Sequence, residues 1–140
     1  MLGGGNPVGS SNPSGTGSSL SYVGDHAYAN SGFFTAAETT NGLDVLKFST
    51  GNSYIVGTLT FNGYAAVSEP PFGTDGACEL KFNDEIVAVL KNSTASEVMP
   101  TNQFIDIIIP PYTKVNVRIE ADGTNTTVGA TVLIQGRVYR

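Results

Sequence analysis

From about Leu43 to Tyr139 the chain is a run of short apolar segments that alternate in and out, and no window sustains the 3.6-residue period of a helix. Val115, Val117 and Ile119 alternate with Asn116, Arg118 and Glu120. Ile55, Gly57, Leu59 and Phe61 share one face of a second segment, and Val56, Thr58 and Thr60 share the other. Such segments fit a pleated chain that buries one face. Turn signals separate them: Asn41-Gly42, Thr50-Gly51-Asn52, Asn62-Gly63, Asn83-Asp84, Pro110-Pro111 and Asp122-Gly123. Asn83-Asp84 predicts a hairpin in which Cys78, Leu80 and Phe82 face inward and Ile86, Ala88 and Leu90 return. Asn62-Gly63 is expected to end its strand. Seven strands follow Leu43, with one or two more before it. Loops are expected over 65–76 and 92–102. Long loops mixed with short hairpins predict an all-β fold, a single β-sandwich of jelly-roll or Greek-key type.

The first nineteen residues are a different material. MLGGGNPVGSSNPSGTGSS contains six Gly, five Ser, two Pro and two Asn. Such a segment has much entropy to lose and little area to bury, so residues 1–19 are expected to be a flexible arm that orders on a partner. Residues 20–140 are expected to form the sandwich domain. Leu2, Pro7, Val8, Leu20 and Tyr22 are the arm's candidate partner-contact residues.

Charge narrows the partners. The formal net charge is -5, and all seven basic residues lie at or after Lys47. An arm without Lys or Arg is a poor ligand for phosphate, which argues against nucleic acid and against anionic membranes. No apolar run approaches the length of about eighteen residues that a spanning helix needs. The N-terminus lacks the basic and continuous apolar regions of a signal peptide. A single cysteine, Cys78, excludes an intramolecular disulfide. The expected setting is assembly in the cytoplasm.

No catalytic constellation emerges, and no cofactor or metal is expected. His26 is the only histidine, and with one cysteine it cannot complete a zinc site of His and Cys ligands. Cys78 alternates with Leu80 and Phe82 and reads as a buried, inert thiol. Asp122-Gly123-Thr124-Asn125 reads as a turn rather than half a calcium loop, and Asn83-Asp84-Glu85 as a solvated turn. Asn92-Ser93-Thr94 and Asn125-Thr126-Thr127 match a glycosylation sequon that is frequent by chance. Tyr22, Tyr28, Phe33, Phe34, Tyr54, Tyr64, Phe72 and Tyr112 are more readily core residues than a sugar platform.

Two segments carry more apolar residues than one buried face requires. Ile105, Ile107 and Ile109 line one face of their strand, and Phe104 and Ile108 the other. Val87 and Val89 oppose Ile86, Ala88 and Leu90. A doubly apolar strand in a sandwich points to an interface, and the expected rows are Val87/Val89 and Ile105/Ile107/Ile109.

The runs ELKFNDEIVAVLKN and QFIDIIIPPYTKVNVRIEA, with the GGGNP start and its Gly/Ser arm, resemble small jelly-roll structural proteins of tailed-phage heads. The carrying features are the Asn83-Asp84 turn, the Ile109-Pro110-Pro111-Tyr112-Thr113 corner and the alternating strand after it. The resemblance implies a capsid decoration, or cement, protein: a homotrimer on the capsid exterior of a virion that braces the major capsid protein, with no catalytic residues. A carbohydrate-binding or adhesive β-sandwich of a tail or cell surface is the alternative, using residues of 64–75 and 122–127.

Overall fold

The computed structural model describes residues 8–13, 17–37, 42–66, 75–92, 101–122 and 127–139. Among them are eleven strands and no helix: β1 Val8–Ser11, β2 Ser18–Val23, β3 His26–Asn30, β4 Phe34–Ala37, β5 Leu43–Ser49, β6 Tyr54–Ala66, β7 Asp75–Phe82, β8 Glu85–Asn92, β9 Thr101–Ile109, β10 Lys114–Asp122 and β11 Thr127–Tyr139. The seven strands expected after Leu43 are all present.

Two antiparallel sheets pack face to face. Sheet A has the order β1-β5-β10-β7-β8, and sheet B the order β2-β3-β11-β6-β9, with β4 also pairing β11. The pairings nest: β4 with β11, β5 with β10, β6 with β9 and β7 with β8. This is one long antiparallel ribbon, hinged at the β7–β8 hairpin and wound across two sheets, which is a jelly roll.

The inward set of each strand forms the core. Sheet B contributes Ile55, Leu59, Phe61, Ile107, Ile109, Val132 and Ile134, and sheet A contributes Leu46, Phe48, Cys78, Leu80, Val115, Val117 and Ile119. Val45 is buried beside Leu46 because the register shifts at Val117/Arg118 and adds an extra inward residue.

The hairpin turns as expected. Asn83 and Asp84 both have positive φ, 52° and 70°, the backbone of a two-residue turn matched to strand twist. Asn83 is further fixed by β10, its N–H donating to the Lys114 carbonyl (2.8 Å) while its Oδ1 accepts from Lys114 N–H (2.9 Å). Asn62-Gly63, in contrast, does not end a strand. β6 continues to Ala66, paired with β11 on one side and as far as Gly63↔Thr101 with β9 on the other. Neighbours on both sides satisfy its main chain, which outweighs local turn preference.

The expected arm is also corrected. Val8–Ser11 forms β1, pairing antiparallel with the edge of β5, Val8 opposite Ser49 and Ser11 opposite Lys47. Strand addition uses main-chain groups, which Ser supplies as well as any residue, so low apolar content was no bar. The Asn12 side chain donates toward the Asn30 and Ser31 carbonyls (both 3.4 Å). β2 runs straight through the expected boundary at 19/20. Leu20 lies in the core and Tyr22 packs against it, its phenol pKa raised by burial. These two residues therefore serve the sandwich itself and are not partner contacts of a free arm. Leu2 and Pro7 lie outside the described residues, and Val8 is placed only by its backbone.

Candidate assembly interface

The two sheets end together at one margin, where β8 closes sheet A and β9 closes sheet B, and the two strands lie against each other. Most of the large apolar side chains that the described residues leave exposed gather there: Val56, Ile86, Val87, Val89, Phe104 and Ile108. An apolar group at the end of a sheet, beside unpaired strand edges, is the surface feature most prone to join another chain.

The sequence located these strands but inverted one of them. Ile107 is 8% exposed and Ile109 is fully buried, while Ile105 is half-buried against the core. The row of three isoleucines is thus core and not an interface. β9 instead presents Phe104, 69% exposed, and Ile108, 63% exposed. The alternation was legible, but which row faced inward was not, because both rows are apolar and a one-residue slip exchanges them. The partner strand decides it: Ile107 falls opposite Gly57 and Ile105 opposite Leu59 on the inward face of β6.

On the outer face of sheet B, Ile108 lies opposite the exposed Val56 and Phe104 opposite Thr60. Between them Thr58 Oγ1 donates to Asp106 Oδ1 (3.2 Å), so a polar pair interrupts the apolar row.

Val87 and Val89 stand as expected, both exposed. Ile86, however, was expected inside and is also exposed. The register shifts between Leu80 and Lys81, pairing Leu80 with Ala88 but Lys81 with Ile86. The resulting bulge at Val87 returns Ile86 to the outer face, so β8 exposes three aliphatic side chains where two were expected. The same outer face carries the ion pair Lys81–Glu79 (3.9 Å) on the adjacent β7 and Lys47–Asp44 (3.0 Å) farther across the sheet on β5.

Among the other sequence candidates, His26 lies on the same outer face of sheet B, opposite Arg137, which is itself opposite Val56. His26 Nδ1 lies 2.9 Å from Asp25 Oδ1, and Arg137 lies 3.0 Å from Asp25 Oδ2. Arg137 also lies over the ring of Tyr139, which stacks on Tyr54 at 5.3 Å. That is a surface network with no nucleophile in it. Cys78 is fully buried, and desolvation, with Glu79 adding to it, pushes its thiol up to about 12. Among the described residues no three His, Cys, Asp or Glu side chains gather as metal ligands would. Gly123–Asn125 and Phe72 lie outside the described residues.

One of the aromatics expected to be core rather than a sugar platform lies on the surface instead. Tyr112 has φ 53° and is 75% exposed at the corner between β9 and β10, its N–H donating to the Gly51 carbonyl (2.8 Å). A bulky residue in the left-handed region is a strained exception. The preceding Pro110-Pro111 pair is the only sequence signal that marked the corner.

No family model matches the chain, and no curated protein matches it. Solved structures with a similar course include the CBM36-1 domain of a multidomain xylanase from the hindgut metagenome of Trinervitermes trinervoides, at 12% identity and a TM-score of 0.47 over 74% of this chain and 85% of that one. A carbohydrate-binding module CBM36 in complex with calcium and xylotriose is similar at 8% identity and a TM-score of 0.43, over 90% and 98% of the two chains. The infectious bursal disease virus VP2 subviral particle gives 12% identity and a TM-score of 0.41, over 81% of this chain and 37% of that one. These likenesses add nothing about function to what the sheet order shows of the fold.

Proposed function

We propose that this chain is a non-enzymatic structural protein of a virion, a capsid decoration protein that binds and braces a shell of major capsid protein and associates with itself. The observation that carries the reading is the apolar margin formed by β8 and β9. A rigid jelly roll presents Ile86, Val87 and Val89 on one outer face and Phe104, Ile108 and Val56 on the other, at the same end of the sandwich. Hiding such groups from water contributes about 25 cal/mol per Å² of apolar area. Many weak contacts on one lattice then add through avidity. The resemblance of the Asn83-Asp84 hairpin and the Ile109–Thr113 corner to phage-head proteins supports the same reading.

The test is co-sedimentation of the purified chain with empty virus shells that lack a decoration protein. Saturable binding that raises the temperature at which the shells rupture is the expected result. A chain that leaves shells bare, while binding immobilised glycans through the Tyr54–Tyr139–Arg137 surface, would replace this reading with the adhesive one.

A further inference from the structure

Among the described residues, three that are not glycine have positive φ: Asn83 at 52°, Asp84 at 70° and Tyr112 at 53°. Asn and Asp enter this region readily, because a short polar side chain can bond to nearby main chain. A tyrosine has no such compensation, and its Cβ crowds the carbonyl that follows. Glycine would make the same corner without strain. Tyr112 is also 75% exposed, so packing offsets little of that cost. We propose that Tyr112 is a preorganised anchor whose ring enters an apolar pocket on the major capsid protein of the shell.

The fold holds the anchor still. Thr50 Oγ1 donates to the Pro110 carbonyl (2.7 Å) and accepts from Thr113 N–H (2.9 Å). Thr113 Oγ1 donates to the Pro111 carbonyl (3.2 Å), and Tyr112 N–H donates to the Gly51 carbonyl (2.8 Å). The main chain on both sides of Tyr112 is thus tied to the buried threonine pair. Pro110 and Pro111 fix their own φ as well. A ring presented this way has little main-chain freedom left to lose when it binds. Strain that the surroundings enforce, at a residue with no packing role, points to a contact made elsewhere.

The chemistry of the corner selects the partner. The two prolines carry no N–H, and both of their carbonyls are already bonded. Lys114, the nearest charged residue along the chain, is paired with Asp84 (3.1 Å). Pro110, Pro111 and Tyr112 are all exposed, so the corner offers apolar surface and one phenol O–H. That suits a protein pocket with apolar walls and a hydrogen-bond acceptor at its floor. A sugar, with hydroxyls on every side, would find few partners here. The corner also continues the apolar margin: β9 exposes Phe104 and Ile108 and ends at Ile109, directly before Pro110.

The inference rests on the shell reading and names one residue of that contact. It is tested by co-sedimentation with the same empty shells, on wild type, Tyr112→Gly, Tyr112→Ala and Tyr112→Phe, with urea denaturation of each. The Gly and Ala variants lack the ring, and their affinity for shells should fall by about tenfold or more. Tyr112→Phe should bind more tightly than Tyr112→Ala. Only glycine relieves the backbone, so Tyr112→Gly should denature at higher urea than Tyr112→Ala, and no lower than wild type. Weaker binding without weaker folding marks a contact residue, whereas a structural residue would lose both together. Gly and Ala variants that bind shells like wild type would overturn the anchor and leave the shell reading standing. A wild type that ignores shells overturns the shell reading, and the anchor's named partner with it. Variants that keep shell binding but lose immobilised glycans would replace the protein pocket with a sugar contact. A Tyr112→Gly variant that denatures at lower urea than Tyr112→Ala would overturn the strain on which the anchor is argued.

Discussion

Thr50 and Thr113 hold two of the crossovers between the sheets to each other. Thr50 N–H donates to the Thr113 carbonyl (3.0 Å), and Thr113 N–H donates back to Thr50 Oγ1 (2.9 Å). The Thr50 hydroxyl in turn donates to the Pro110 carbonyl (2.7 Å). Both threonines are buried. The β5–β6 and β9–β10 corners are thus locked at one end of the sandwich. Thr50→Val keeps the shape and removes the hydroxyl, leaving the buried Thr113 N–H without its acceptor and the part-buried Pro110 carbonyl without this donor. A loss of about 2–4 kcal/mol is expected in urea denaturation, with the fold retained. Thr50→Ser should lose less.

Ile107 and Ile108 are neighbours with opposite fates. Ile107→Asp places a carboxylate in the core and is expected to prevent folding. Ile108→Asp changes an exposed side chain, and its stability should stay within about 0.5 kcal/mol of wild type. Its binding to shells should fall. Thermal melts of the pair check the register directly: equal destabilisation of both would contradict it.

Gly57 and Gly136 face each other on β6 and β11. A Cβ on Gly57 would lie 2.0 Å from the Gln135 carbonyl oxygen, and one on Gly136 2.6 Å from the Val56 carbonyl oxygen. The obstructing atoms are main chain and cannot turn aside as a side chain would. Gly57→Ala is therefore expected to cost about 3 kcal/mol or more, read as a lowered denaturation midpoint or as insoluble protein.

Cys78 makes alkaline stability measurable at one residue. Its pKa rises from 9.0 to about 12 in the fold, mainly by burial and further by Glu79. Above pH 9.0 the unfolded chain gives up a proton that the folded chain keeps. The contribution is therefore complete below that pH and is lost as pH rises towards 12. Cys78→Ala should show a shallower fall in stability over this window than wild type. Labelling of native protein by a thiol reagent should be slow and should accelerate on unfolding.

The alternation of Val115, Val117 and Ile119 determined a half-buried strand on local grounds, since side chains on a pleated chain point to opposite faces. Asn83-Asp84 likewise determined its hairpin, because those residue types tolerate positive φ. Cys78 was placed in the core by its neighbours Leu80 and Phe82. With the Gly- and Pro-marked turns, these local signals sufficed for the all-β class and the seven strands after Leu43. Local signals fail where two answers have equal local energy. Both rows of β9 are apolar, so burial of Ile107 and exposure of Ile108 were decided by pairing with β6. The bulge that exposes Ile86 arises in the register between β7 and β8. Val8–Ser11 carries no apolar alternation, and only the open edge of β5 turns it into a strand. In each of these cases the deciding hydrogen bonds join residues far apart in the chain, and a window of sequence contains only one of the two partners.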